Sequence, residues 1–210
     1  MARNLPDILY KKEGNNPIVD SINSMYQIPM YKNEQYFNNL ESNAAFISAC
    51  EKVVRTNDRY SKYINYLKKV IGLDHCQVMP GVTDDIAEIE MHHGPIFTLY
   101  DYCAIMIEHF IIKKKKISTY RIADAVLKEH EENRVQTVML CATAHQEVHQ
   151  REIFLNYKMG FGDLNAFIKK YAHAIGDDYQ EKLNRYIDRS MMSDSDDYGV
   201  LELSQTVMNL

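Results

Sequence analysis

A chain of 210 residues with a formal charge of -5, 46% apolar and 25% charged residues, holds enough apolar material for one sizeable core and is not a disordered polymer. The acidic balance argues against indiscriminate adhesion to nucleic acid, while leaving room for a local basic groove. No basic-then-apolar leader and no run long enough to span a membrane occurs, so the expectation is a soluble, cytoplasmic protein with no membrane partner.

Residues 1–40 are rich in Asn, Tyr and Pro without a sustained period, and read as an N-terminal arm or irregular cover. Residues 41–73 read as a helical pair. From Ser42, Phe46, Cys50, Val53 and Val54 follow helical spacing; then Asn57 serves as N-cap, Tyr60, Tyr63, Ile64, Leu67, Val70 and Ile71 form one stripe, and Gly72 stops it. Residues 74–157 switch pattern. Between 86 and 93, Ala87, Ile89 and Met91 alternate with Glu88 and Glu90, the two-residue period of a half-buried strand. "YDYCAIMIEHFII" and "STYRIADAVLKEHEENR" then read as an inserted helical pair over 98–132, parted by the lysine run Lys113, Lys114, Lys115 and Lys116. "VQTVML", 135–140, is a second strand, and "TAHQEVHQREIFL" a helix capped by Thr143.

Residues 158–190 carry C-terminal helices: Asp163 caps a stripe of Leu164, Phe167, Ile168, Tyr171, Ala172 and Ile175 ended by Gly176, and a last helix runs from about Asp178 to Arg189. Residues 191–210 are an acidic linker and a tail, "VLELSQTVMNL", apolar enough to dock on this chain or on a protein partner. The expected class is α+β, mostly helical.

Two histidine pairs stand out. His92 and His93 end the first strand just before Gly94-Pro95, and His145 and His149, four apart on a helix, project from one face. Alone, a His-His pair is usually structural and a helical His-x-x-x-His usually coincidental; together they point to a metal site. "HQEVH" is not a zincin motif, because Gln146 and not glutamate follows His145. His75, His109, His130 and His173 have no pattern around them and read as ordinary residues. The cysteines Cys50, Cys76, Cys103 and Cys141 are scattered and read as reduced thiols.

"IEMHHGPI" followed by "VQTVMLCATAHQEVH" resembles the HNH nucleases, above all the colicin-type arrangement of glutamate, apolar residue and His-His before a helical His-x-x-x-His. The resemblance covers roughly residues 74–157 and implies a ββα-metal core. It makes His92, His145 and His149 ligands of one divalent metal ion (Mg, Mn, Ni or Zn), His93 the general base that activates water, Glu90 the residue that orients the site, and DNA the substrate. Lys113 to Lys116 and Arg151 would contact phosphates.

The departures are as informative. Family zinc knuckles carry two Cys-x-x-Cys pairs, whereas this chain has Cys76-x-x-Met79 and Cys141-x-x-Ala144, so no structural zinc is expected. Gln136 stands where the family's loop-tethering asparagine belongs. A compact product rich in Asn, Tyr and Lys suits a bacteriophage member. The expected function is a metal-dependent DNA endonuclease; the alternative is a catalytically lapsed HNH fold serving as a structural or adaptor protein, in a viral particle or a nucleic-acid complex.

Overall fold

The structure is a computed structural model that describes residues 31–192 and the backbone of 200–202. The chain divides after Lys32, and the secondary-structure elements of the described residues belong to the unit beginning at Asn33. Most of the expected arm, 1–30, the linker 193–199 and the end of the tail, 203–210, lie outside the described residues.

Helix α1, Leu40–Arg55, starts where the Asn39 side chain accepts a hydrogen bond from the Ser42 N–H at 2.8 Å, and buries Phe46, Ile47, Cys50 and Val54. Helix α2, Asp58–Tyr66, is capped by Asn57 in the same manner. Its final turn departs from the expected stripe. Residues Leu67–Ile71 widen into a π-helical turn that closes on left-handed Gly72, and the added residue rotates the apolar face. Tyr60, Tyr63 and Leu67 stay buried, while Val70 is 71% and Ile71 37% exposed.

The sheet is small and antiparallel. Strand β1, Ile89–His93, pairs with β2, Thr137–Cys141, in a register that sets Ile89 opposite Cys141 and His93 opposite Thr137. Between the strands the chain leaves to form α3, Leu99–Ile112, and α4, Thr119–Glu131. A capping box starts α3: Thr98 accepts from the Asp101 N–H, and Asp101 accepts from the Thr98 N–H at 2.7 Å. Buried almost all round, α3 packs with α1 and α4. Its Tyr102 hydroxyl accepts from the Gln136 N–H at 2.9 Å, fixing the entry to β2.

Helix α5, Ala142–Gln150, leaves β2 directly and lies against both strands. It is shorter than expected, and Thr143 is not its cap: Cys141 holds that position, and Arg151 turns left-handed at φ 65° to end the helix. "IFL" is then a strand, β3 (Ile153–Leu155), as its β-branched and aromatic residues favour. Its partner is β4, Val200–Glu202, so this part of the tail docks on its own chain. Helix α6, Leu164–Tyr171, is capped by Asp163, and α7 spans Asp177–Met192. The architecture is mostly helical α+β with a two-stranded sheet at its centre.

Candidate metal centre

The alternation of β1 sorts its residues by chemistry. Ile89, Met91 and His93 are buried on the core face, and Glu90 and His92 lie half-buried on the other. Helix α5 crosses that second face with His145 and His149 one turn apart. Each of His92, His145 and His149 offers a ring nitrogen, and these three atoms lie within 4.8 Å of one another. The Nε2 atoms of His145 and His149 are 3.1 Å apart, and Nδ1 of His145 is held by the Glu90 carboxylate. Glu90 thus fixes the His145 ring and leaves its Nε2 turned to the other two imidazoles. Nitrogens bound at about 2.0–2.1 Å to one ion can stand at the 3.1 Å separation of His145 and His149.

Electrostatics favour the neutral, ligand form of His92 and His149. Burial, then the charges that His145, His149 and Arg55 would present, pushes His92 down to about 3. Burial and His145 also lower His149, with Glu90 acting in the opposite sense. Gly94 makes room for the arrangement, because a Cβ there would stand 3.0 Å from Nε2 of His92. Arg55, at the end of α1, is a residue the sequence did not single out, since only the packing of α1 brings its charge to bear here.

His93 is not brought to this cluster. It is 5% exposed on the core face, where its Nε2 lies 2.9 Å from Nε2 of His130 and its ring stacks on Tyr60. Nδ1 of His130 donates to the Val126 carbonyl at 2.8 Å, so its Nε2 is an acceptor and the shared proton belongs to His93. Burial lowers both imidazoles, His130 to about 4, and both are neutral. His130 gave no signal in the sequence; it sits on the apolar face of α4, where a satisfied core histidine looks like any other.

Gln136 reaches the turn that follows β3. Its side-chain amide donates to the Tyr157 carbonyl at 2.8 Å and lies across Gly160, where a Cβ would meet Gln136 Cγ at 2.3 Å. The lysine run closes α3. Lys115 donates to Nε2 of His109 at 3.1 Å, whose Nδ1 contacts Nε2 of His173 at 2.9 Å, at the wall of a cavity of about 590 Å³ that Arg121 and Lys170 also line. Lys113 caps α3 and Lys114 is left-handed, both exposed. Arg151 is exposed just beyond His149.

No helix among the described residues is long and apolar enough to cross a membrane. Comparison with the curated proteins and with the solved structures finds no match. The model of the bacteriophage G278-like virion proteins matches residues 4–210, and the chain belongs to that family.

Proposed function

We propose that the protein is a virion component in which His92, His145 and His149 hold one divalent transition ion that fastens β1 to α5, on a ββα-metal fold whose nuclease chemistry has lapsed. The observation that carries this reading is the setting of His93. A general base must reach the water it activates, yet this imidazole points into the core and spends its proton on His130. Membership of a virion protein family supports the same reading. The donor set fits a borderline ion: three imidazoles, one of them oriented by a carboxylate, without thiolate. A bound ion would supply positive charge and a rigid cross-link between strand and helix.

A second reading, an HNH-type DNA endonuclease, is favoured by the Glu90–His145 contact beside the three histidines, the order that the resemblance carries. In it, Lys113 to Lys116 and Arg151 would meet phosphates, and His93 would have to leave His130 to serve as base.

Calorimetry and a plasmid-nicking assay on the full chain separate the two. A lapsed fold binds zinc, nickel or manganese near unit stoichiometry, loses binding in His145→Ala/His149→Ala, and nicks no DNA with magnesium, manganese, nickel or zinc. Nicking that vanishes in His92→Ala, and falls by about a hundredfold or more in His93→Ala with metal affinity kept, establishes the nuclease instead. Failure to bind any of these ions removes both readings.

A further inference from the structure

Cys76 and Met79 come from the turn before β1, and Cys141 joins β2 to α5, yet their sulphurs meet. The Cys141 thiol lies 3.3 Å from the Met79 thioether, and the Met79 N–H is directed at Cys76 Sγ at 3.4 Å. Burial and the nearby Cys76 thiol raise the Cys141 thiol. The turn is built to hold this arrangement. Pro80 and left-handed Gly81 (φ 83°) carry the chain round to a bond from the Val82 N–H to the Met79 carbonyl at 3.2 Å, and the Cys76 N–H closes onto the Val82 carbonyl at 2.8 Å. Gln77 then clamps the turn to β2, exchanging bonds with the Met139 backbone through its own N–H at 2.9 Å and its side-chain oxygen at 2.7 Å.

We propose that Cys76, Met79 and Cys141 form a three-sulphur site for a soft monovalent cation, with Cu(I) as the fitting ion. The donors decide the chemistry. Two thiols and a thioether exclude magnesium and calcium, which take oxygen. They do not fit zinc, which wants four nitrogen or sulphur ligands and does not draw on thioether, and the fourth corner of a knuckle is here Ala144, without a donor. Thiolate with thioether is the set that selects Cu(I). A backbone N–H is placed to receive a thiolate at Cys76, that of Met79, and Cys141 stands at the N-terminus of α5. Burial and the Cys76 thiol beside it raise Cys141, so the entering cation displaces that thiol's proton. Met79, 39% exposed beside cysteines that are 2% and 4% exposed, gives the ion its way in. The inference is independent of the three-histidine centre, with which it shares no ligand.

The test is an anaerobic competition titration of the reduced full-length chain against a chromogenic Cu(I) chelator, with Ag(I) as a redox-inert second probe. One equivalent should bind, with new near-ultraviolet sulphur-to-metal absorption, and His145→Ala/His149→Ala should leave both unchanged. Met79→Leu keeps the bulk of a partly exposed side chain and therefore the fold, and should weaken Cu(I) by at least about tenfold, since even groups outside the ligand shell are worth that much. Cys76→Ser and Cys141→Ser should abolish the absorption. No uptake by the reduced wild type, or an affinity in Met79→Leu equal to wild type, overturns the site.

Discussion

At the scale of single residues, the pair His93 and His130 shows how a hydrogen-bonded histidine can be a stability element and a pH liability together. Both rings are shut in the core among Tyr60, Tyr63 and the Val126 carbonyl, and both stay neutral far below the ordinary imidazole value. The sign follows from which state takes up protons. Between pH 6.5 and the folded value of His130, about 4, the unfolded chain protonates these rings and the folded chain does not, so stability falls as pH falls through that window. Each group contributes up to about 1.4 kcal/mol per pH unit. Denaturant titrations of metal-free protein between pH 7.5 and 4.5 should show this loss, and a His93→Leu/His130→Leu variant should show a shallower slope; equal slopes would mean that the pair already exchanges protons with solvent. Gly94 makes a second prediction at this scale. Alanine there would place a Cβ about 3.0 Å from the His92 ring, which must yield by a few tenths of an ångström. Nickel or zinc affinity in Gly94→Ala should fall by roughly tenfold, read by calorimetry on the folded variant, and metal-free stability should fall as well because Gly94 has φ 159°; unchanged affinity would show that His92 is not held where a ligand must be.

At the scale of elements, what could be read from the chain and what could not divide along local and non-local physics. The caps Asn57, Ser118 and Asp163 accept the bonds their types promise, from Arg59, Arg121 and Ala166 N–H groups, because a cap is decided within a few residues. The alternation of β1 was legible for the same reason; the grouping of His92 with His145 and His149, which lie far apart in the chain, came from the resemblance to the HNH nucleases and not from local pattern. The widened turn at Leu67–Ile71 was not legible, since helical spacing has no signature for one added residue. Nor was the end of α5 at Gln150, because "REIFL" continues a helical stripe and becomes a strand only when β4, some distance along the chain, pairs with it. That pairing is testable. Ending the chain at Met192 removes β4 and leaves β3 as a bare edge beside buried Phe154. Amide exchange at Ile153–Leu155 should rise sharply and the shortened protein should self-associate on a sizing column, with metal affinity kept; unaltered exchange there would show that β4 protects nothing. The capping box of α3 carries a smaller, cleaner effect, about 1 kcal/mol lost in Thr98→Ala by denaturant titration.

At the scale of the whole molecule, two devices tie distant parts of the chain together. One is the Glu129 carboxylate on α4, 3% exposed, which accepts from Arg134 at 2.6 Å, from Lys170 at 2.8 Å and from the Tyr171 hydroxyl at 2.7 Å. Burial alone would raise it, and these donors more than offset that, so the ionised form joins α4 to α6. The other belongs to the function proposed above: an ion held by the three histidines would set β1 against α5 across the long connection that carries α3 and α4. In a virion protein such a tie has a physical use, because fixing a strand and a helix separated by an insertion of that size removes the motions by which the insertion could lever them apart. An ion that binds only the folded chain adds stability by mass action, about 2.7 kcal/mol when present at one hundred times its dissociation constant. For a chain of this length that corresponds to a rise of roughly 5–10 °C in Tm. The rise should appear with zinc or nickel and disappear in His145→Ala/His149→Ala. Hydrogen exchange should slow at Ile89–His93 and at Ala142–Gln150 together, and much less in α6, which contributes no ligand. A Tm indifferent to saturating metal, or protection that reaches the helix without the strand, would mean that the ion does not fasten the two, and the proposed staple would have to be given up.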